Sequence, residues 1–281
     1  MCETCATTSG GNLAVDPADG RPLSDQRGPT HLVLIPSYNT GPRLEETVRE
    51  ARRFWTPVWV VIDGSTDGTG EELARLAAGD TGLKLLTRRD NAGKGAALFD
   101  GLRHAETAGF THVLTMDSDG QHPAAAIPEF MALSAENRQA LILGVPIFDA
   151  SAPPFRVKGR QVSNWFAWVE TLGADTGDAL FGFRVYPIKD LVAVMSRTRW
   201  MRGFDFDPEA TVRLAWRGLP LVNRPVPVRY FRPEEGGVSH FNYLRDNLLL
   251  TWMNLRLLAG FACRLPLLIC RRIRSFRHSP R

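Results

Sequence analysis

Asp117, Asp119 and Gln121 place two carboxylates and an amide carbonyl within five residues, in the stretch Met116-Asp117-Ser118-Asp119-Gly120-Gln121-His122-Pro123. Before it runs Thr111-His112-Val113-Leu114-Thr115, which reads as a short buried strand. Strand side chains alternate, so acids separated by one residue point to one side. In an open α/β sheet the carboxyl ends of the strands form the crevice where ligands bind. An all-oxygen set of this kind suits Mg²⁺ or Mn²⁺, with coordination positions left for phosphates. The same residues also fit a plain Asp-Gly turn in which Asp119 caps a helix that Pro123 begins. Both readings stand until the upstream residues are considered.

Apolar runs and helical segments alternate along the chain up to that point. His31-Leu32-Val33-Leu34-Ile35-Pro36 is a first strand, followed by a helix over 42–54. A second strand over 58–63 ends in Asp63-Gly64-Ser65-Thr66-Asp67-Gly68-Thr69, which opens a helix over 69–78. A third strand over 83–86 leads through Arg88-Arg89-Asp90-Asn91 to Asn91-Ala92-Gly93-Lys94-Gly95 and a helix to about 108. Strands alternating with helices imply βαβ units and a mostly parallel sheet. Right-handed crossovers bring the strand ends to one edge. That edge gathers Asp63, Asn91, Lys94, Asp117 and Asp119.

The chemistry such an edge offers is the handling of a nucleoside diphosphate. Asp63 can accept a hydrogen bond from a base N–H or a ribose hydroxyl. Lys94, after Gly93 at a helix start, offers phosphate a point charge and free backbone amides. No GxxxxGK[ST] is present, which excludes a P-loop nucleotidase. Ile35-Pro36-Ser37 stands where a dinucleotide-binding domain carries GxGxxG.

Composition bounds the rest. The chain is 44% hydrophobic and 23% charged, enough for one large α/β core. Its net charge of +4 is local: without the six arginines of 264–281 it becomes −2. The body is therefore no nucleic-acid surface, and one end is a basic patch. Cys2 and Cys5 form a lone CxxC with no second pair, and a reducing cytosol is the expected compartment. Residues 1–30 have no apolar signal-peptide core and read as a disordered tail.

Four motifs in series, Pro36-Ser37-Tyr38-Asn39, Asp63 to Thr69, Asn91-Ala92-Gly93-Lys94-Gly95 and Asp117 to Pro123, resemble the successive signatures of family 2 glycosyltransferases. The resemblance covers about 31–245 and is nearest the branch of dolichol-phosphate mannose synthase and bacterial polyprenyl-phosphate glycosyltransferases. It implies a GT-A fold, a nucleotide-sugar donor (UDP- or GDP-linked), a divalent metal and inversion at the anomeric carbon. It implies that Pro36, Tyr38, Asn39, Asp63, Asn91, Lys94 and Asp117 bind donor, Asp63 at the base. Asp117, Asp119 and Gln121 would hold Mg²⁺ or Mn²⁺ against the diphosphate. Ile62 departs from the pattern, where relatives carry a second acid.

The second half should supply the acceptor side. A strand over 141–144 leads to a loop with Pro153-Pro154, Arg156, Lys158 and Arg160, and Ser163 follows on a helix. By the resemblance, Arg156, Arg160, Ser163 and Arg184 belong to the acceptor and phosphate-binding set, and Asp178, in Asp178-Ala179-Leu180-Phe181-Gly182-Phe183-Arg184, lies near the sugar while Arg184 orients an acid. Gly203-Phe204-Asp205-Phe206-Asp207-Pro208-Glu209 resembles the stretch that supplies a base, so Asp178 and Asp207 are the candidate catalytic acids. Asp207 also suits a plain helix N-terminus. Strand-like stretches over 219–222 and 226–230 precede Arg232, Ser239 and His240, placed to close over a diphosphate around Gly236-Gly237. Relatives carry Lys where His240 stands, which makes that contact pH-sensitive.

From Leu244 the chain is apolar but broken by Arg245, Asp246, Arg256 and Arg264. Its longest uncharged run, 247–255, falls short of the ~18 residues of a spanning helix. The expectation is an interfacial helix on an anionic membrane. Domain organisation is thus a tail over 1–30, a glycosyltransferase domain over 31–243 (donor half 31–123, acceptor half 124–243) and a basic amphipathic segment over 244–281. The expected activity is inverting sugar transfer to a polyprenyl phosphate, peripheral on the cytoplasmic face. Transfer to a hydroxyl of a glycan or lipid, and a non-catalytic nucleotide-sugar binder, are the alternatives. A nucleotidyltransferase would need a basic Gly-rich loop directly after the first strand. Nothing in the residues specifies the sugar, the base or an oligomeric state.

Overall fold

The computed structural model describes residues 30–148, 154–228 and 242–278. Among the described residues, eight α-helices and seven strands follow the expected alternation. In order they are β1 (His31–Ser37), α1 (Arg43–Phe54), β2 (Val58–Asp63), α2 (Thr69–Ala78), β3 (Leu83–Arg88), α3 (Lys94–Thr107) and β4 (His112–Thr115). Then come α4 (Ile127–Glu136), β5 (Leu141–Phe148), α5 (Pro154–Glu170), β6 (Arg184–Pro187), α6 (Ile188–Met195), α7 (Phe206–Arg217), β7 (Leu221–Val228) and α8 (Tyr243–His278). The strands form one sheet in the order β3-β2-β1-β4-β6-β5-β7, parallel except for β6.

Because β1 has β2 on one side and β4 on the other, the chain reverses its winding there, and a crevice opens at the strands' carboxyl ends. Alternation decides which face each residue serves. Val33 and Ile35 with Val58, Val60 and Ile62 enter the core under α1, α2 and α4. Leu32, Leu34, Trp59 and Val61 enter the core under α3, α6 and α7. Asp63 shares the second face, which turns it toward the start of α3. Ile62 is 2% exposed in the first core. The second acid that the resemblance implies at that position would therefore fall in the core against α2, not on the crevice.

Three expectations are corrected. The basic set Arg156, Lys158 and Arg160 lies on α5, not in a loop, because Pro154 is tolerated in a helix's first turn. The two strand-like stretches after 218 are one strand, β7, whose Pro225 and Pro227 are accommodated at the sheet's edge. The C-terminal helix runs unbroken for 36 residues through Pro266. Within Leu244–Ile273 an 18-residue window of mean hydropathy 1.4 is long and apolar enough to cross a membrane by length and composition.

The helix has two apolar faces. Leu250, Met253, Leu257 and Leu268 are buried against α5 and α7 with Ala167, Val212 and Trp216. Leu244, Leu248, Trp252, Leu255, Ile269 and Ile273, at helical spacing, are exposed.

Candidate functional site

The crevice at the switch point is a cavity of about 1000 Å³. It is lined from the first half by Pro36, Tyr38, Asp63, Asn91, Lys94, Asp117, Asp119 and Gln121, and from the second by Arg160, Ser163 and Asp207. The first turns of α8 close it with Arg245, Asp246, Asn247 and Leu250. The C-terminal segment is thus part of the cavity wall, not an appendage beginning after it.

Lys94 is the electrostatic centre. Its Nζ lies 2.7 Å from Asp117 Oδ1 and 2.6 Å from Asp207 Oδ2, joining α3, the end of β4 and α7. Burial pulls the ammonium's pKa down, but the two carboxylates more than offset this and raise it above the ordinary lysine range. Gly182 leaves room for the pair, since a Cβ there would meet Lys94 Nζ at 2.7 Å and Asp117 Oδ1 at 3.2 Å. For Asp117, burial alone would raise the pKa; the charges of Lys94 and His122 outweigh it and bring it to about 2. Asp119 goes the other way, up to about 6, through burial and then the charge of Asp117.

Two carboxylates that share a partly buried place, one raised by the other, form an environment that a divalent cation relieves. Gln121 adds a neutral oxygen on the same wall. The donor set fits a hard cation with open positions. It contains only two charged ligands, and no group of three His, Cys, Asp or Glu is gathered for a metal among the described residues.

Asp63 is 2% exposed and already engaged. Its carboxylate accepts the Ala92 and Gly93 backbone N–H groups at 3.2 and 2.8 Å, and Arg88 Nε lies 2.8 Å away. The expectation of free amides in this loop is corrected: Asp63 holds two of them, and that bond fixes the start of α3. The glycines serve the same contact. Gly93 has φ +98° and its missing Cβ lets the backbone approach Arg202, whose carbonyl accepts the Ala96 N–H at 3.0 Å.

Asn39 is displaced from the donor set. Its Oδ1 accepts the Thr66 N–H at 2.8 Å, and the residue faces a smaller pocket beside Arg43 and Asp67. It ties the loop after β1 to the loop after β2. Asn91 lines the cavity, with its Oδ1 accepting the Gly93 N–H at 2.9 Å.

Arg184 is corrected from the phosphate-binding set. It is fully buried, and its guanidinium donates to the carbonyls of Asp178, Ala179 and Asp207 at 2.9, 2.8 and 2.6 Å. It reaches no acceptor; it fixes the backbone beneath α7. Asp178 also lies behind the cavity wall, where its Oδ1 accepts from Arg160 at 2.8 Å and from the Leu180 N–H at 2.9 Å. That geometry assigns it to aiming Arg160, and leaves Asp207 as the catalytic candidate that lines the cavity. One carboxylate oxygen of Asp207, Oδ1, has no hydrogen-bond partner among the described residues. Arg156 lies in the first turn of α5, and nothing further is described for its side chain. Arg232, Ser239 and His240 lie outside the described residues.

Two positioning elements escaped the sequence reading. His122 is buried; its Nδ1 accepts the Asp117 N–H at 3.0 Å, and Nε2 stands 3.6 Å from Asp117 Oδ2. Burial lowers its pKa to about 4, so it is neutral and packs edge-on to Phe181 and Phe183. Its place directly after Gln121 was the available signal. A chain of hydroxyls, Ser37 to Thr40 at 3.0 Å and Thr40 to Ser118 at 2.9 Å, joins the β1 loop to the acidic loop. No spacing rule links those positions.

Residues 32–193 match the family described as glycosyl transferase family 2. The chain is 28% identical over 257 residues to an undecaprenyl-phosphate mannosyltransferase of Micrococcus luteus, covering 82% of this chain and 98% of the relative. It is 28% identical over 240 residues to a polyprenol monophosphomannose synthase of Mycolicibacterium smegmatis, covering 80% and 83%. Among solved structures it resembles glucosyl-3-phosphoglycerate synthase from Mycobacterium tuberculosis in complex with Mn²⁺, UDP-glucose and phosphoglyceric acid. There the TM-score is 0.59 and the identity 17%, over 91% and 85% of the two chains. It also resembles a mannosyltransferase from Pyrobaculum calidifontis in complex with GDP-mannose and Mn²⁺, at TM-score 0.55 and 20% identity over 83% and 64%. An α/β sheet wound to open its acid-rich crevice at β1 and β4, and a family match over more than half the length, lead to one conclusion: this chain is a glycosyltransferase of family 2, with the GT-A fold.

Proposed function

We propose that this glycosyltransferase moves a hexosyl unit, with inversion, from a UDP- or GDP-linked sugar to a polyprenyl phosphate at the cytoplasmic face of a membrane. The observation that carries the reading is the single cavity in which Asp117, Asp119 and Gln121 lie within reach of the charge of Arg160, contributed by a different half of the chain. The two relatives named above, both polyprenyl-phosphate mannosyl enzymes by name, support the acceptor class.

Asp117, Asp119 and Gln121 would hold Mg²⁺ or Mn²⁺, which neutralises the diphosphate leaving group when bound. Asp63 and Asn91 present the base-side wall, with Pro36 and Tyr38 beside them. Lys94 supplies a second cation next to the leaving group. Arg160, aimed by Asp178, and Ser163 place the acceptor phosphate, so that two anions meet at the anomeric carbon without long-lived repulsion. A phosphate oxygen is already anionic, and the attack then needs no strong base. Arg156, Arg232, Ser239 and His240 are proposed to add cations and a hydroxyl at the rim. At the surface, exposed arginines on α8 would attract anionic headgroups, each worth about 1 kcal/mol.

Transfer to a hydroxyl is the second reading, favoured by the unpartnered Asp207 Oδ1, which could take the proton. Labelled UDP- and GDP-sugars offered with polyprenyl phosphate and Mg²⁺ or Mn²⁺ separate the two. A glycolipid whose sugar is released by mild acid is the expected product. Donor consumed only when a hydroxyl acceptor is present would replace the first reading with the second.

A further inference from the structure

Glu209, in the first turn of α7, is met by two arginines where one would answer its charge. Its Oε1 accepts from Arg213 Nε at 2.7 Å, one turn along the same helix. Arg256 of α8 reaches the same carboxylate, with Nη1 3.2 Å from Oε1 and Nη2 3.0 Å from Oε2. The Glu209 side chain is fully buried and that of Arg256 is 12% exposed. A buried ion pair is a weak source of stability, because desolvation of the ions offsets most of their attraction. What such a pair fixes is geometry, and Arg256 must fix something that Arg213 does not.

The difference lies in the segment between α6 and α7. The Arg256 guanidinium lies over the Trp200 ring, 4.2 Å from its centre, and Nη2 is 4.0 Å from Asp205 Oδ2. Asp205 in turn accepts the Met201 N–H at 3.1 Å and the Gly203 N–H at 2.9 Å. Met201 has φ +63°, a left-handed conformation that a residue with a side chain adopts only when its surroundings impose it.

The carbonyls of this segment press on the start of α3. Arg202 O accepts the Ala96 N–H at 3.0 Å. A Cβ on Gly93 would meet Arg202 O at 2.6 Å, and one on Gly95 would collide with the Met201 carbonyl. Those two glycines flank Lys94, so the backbone that carries the central ammonium of the site is seated on residues 201–203. From that seat Lys94 Nζ reaches Asp117 and Asp207.

We propose that Arg256 is a positioning residue for Lys94. By holding Trp200, Asp205 and Glu209 together it keeps the 201–203 backbone against Gly93 and Gly95, and so fixes the ammonium between Asp117 and Asp207. The C-terminal helix thereby sets the donor side of the cavity as well as walling it. The part of Lys94 at the leaving group rests on the reading above; the link from Arg256 to the start of α3 does not.

Hydrogen exchange and steady-state transfer kinetics on the full chain test the link, in native protein, Arg256→Met, Arg256→Lys and Arg213→Met. The last variant takes a cation from the same carboxylate and leaves the Arg256 contacts to Trp200 and Asp205 in place. Exchange at the amides of 93–97 should quicken by about tenfold or more in Arg256→Met, with β1 and β4 as the reference for global opening. It should stay native in Arg213→Met and return part of the way in Arg256→Lys, which keeps the charge but not the fork. A small misplacement of a charged group near the reacting atoms is costly, so kcat should fall about tenfold or more in Arg256→Met. The KM for the nucleotide-sugar should stay within about threefold, since Arg88 still holds Asp63. In a Lys94→Met background, Arg256→Met should cost no further kcat. Native exchange at 93–97 in Arg256→Met overturns the proposal, and so does an equal loss of protection there in Arg213→Met. A kcat loss that adds in full to that of Lys94→Met overturns it too. Faster exchange with native kcat in both Arg256→Met and Lys94→Met supports the link and removes Lys94 from the leaving group.

Discussion

The two ends of the same β-strands treat their titratable groups in opposite ways. At the amino end His31 and His112 stack with ring centroids 4.4 Å apart, each 5% exposed. Each ring nitrogen has a partner: Thr30 and Ser134 for His31, Thr111 and the Arg138 carbonyl for His112. At the carboxyl end Lys94 is paired with both Asp117 and Asp207, and Asp207 Oδ1 is left without a partner among the described residues. The first arrangement is closed and neutral, and it contributes stability. The second gathers charge at a cavity and leaves a buried carboxylate oxygen without a partner, which costs stability and is what a site for anions and cations requires. The lesson is that polar burial alone does not mark function; incomplete satisfaction beside a cavity does.

The comparison is broken most severely at the acidic loop. Asp117→Asn and Asp119→Asn should each reduce sugar transfer by more than the ~10–100-fold typical of losing a group that only orients a metal ligand. Thermal unfolding should change little. Gln121→Ala should cost less, since it removes a neutral donor. Near-native turnover of Asp119→Asn at saturating Mn²⁺ would remove the metal assignment.

Lys94→Met tests the charged end for its structural share. Removing one partner of a buried pair costs ~3–5 kcal/mol, and here the lower figure applies because Asp117 is partly exposed. Denaturant unfolding should show this loss, and Lys94→Met/Asp207→Leu should recover part of it. Unfolding that leaves Lys94→Met unchanged would mean that the carboxylates are solvated without their counterion.

The neutral end is read by pH. Burial, then the charge of His112, lowers the pKa of His31 from 6.5 to about 4, and burial lowers that of His112 as well. Unfolded histidine thus binds protons that the folded pair refuses. Stability is full above about pH 6.5 and falls as pH drops toward 4, by roughly 2–4 kcal/mol for His31. His31→Phe should flatten that limb of the pH–stability curve; an unaltered slope would assign the acid sensitivity elsewhere.

A smaller effect should follow Asp63→Ala, at about 1.5–3 kcal/mol for loss of a charged hydrogen-bond acceptor. Calorimetry with UDP or GDP should show weaker binding, partly through release of the Ala92–Gly93 turn that Asp63 holds. Unchanged affinity would place the base away from the end of β2.

Much of the fold was legible because its signals are local. Apolar alternation, Asp-Gly and Asn-x-Gly turns and the Gly93-Lys94 helix start each act over a few residues, so the strands and their carboxyl edge could be read in order. The site was legible to the extent that strand ends carry it: Asp63, Asn91, Lys94, Asp117 and Asp119 do line one cavity. The direction of each side chain after its strand ends was not. Arg184 looked like a phosphate ligand because its type and neighbours allow it, but a strand residue's face is decided by what packs beneath it, and here backbone carbonyls claim the guanidinium. Asp178 was equally ambiguous until Arg160 was seen in front of it.

What the sequence determined by itself is the order of elements and the identity of the groups delivered to their ends, since hydrogen-bonded turns and side-chain periodicity depend on near neighbours. What tertiary structure decided is how those groups meet. Lys94 and Asp207 are 113 residues apart, and Glu209 pairs with Arg256 of α8 from 47 residues away. Such pairs form because the sheet winds in two directions from β1 and because α8 folds back over α7, and those choices come from the summed burial of three cores. The same folding back turned an apparent tail into a wall of the cavity.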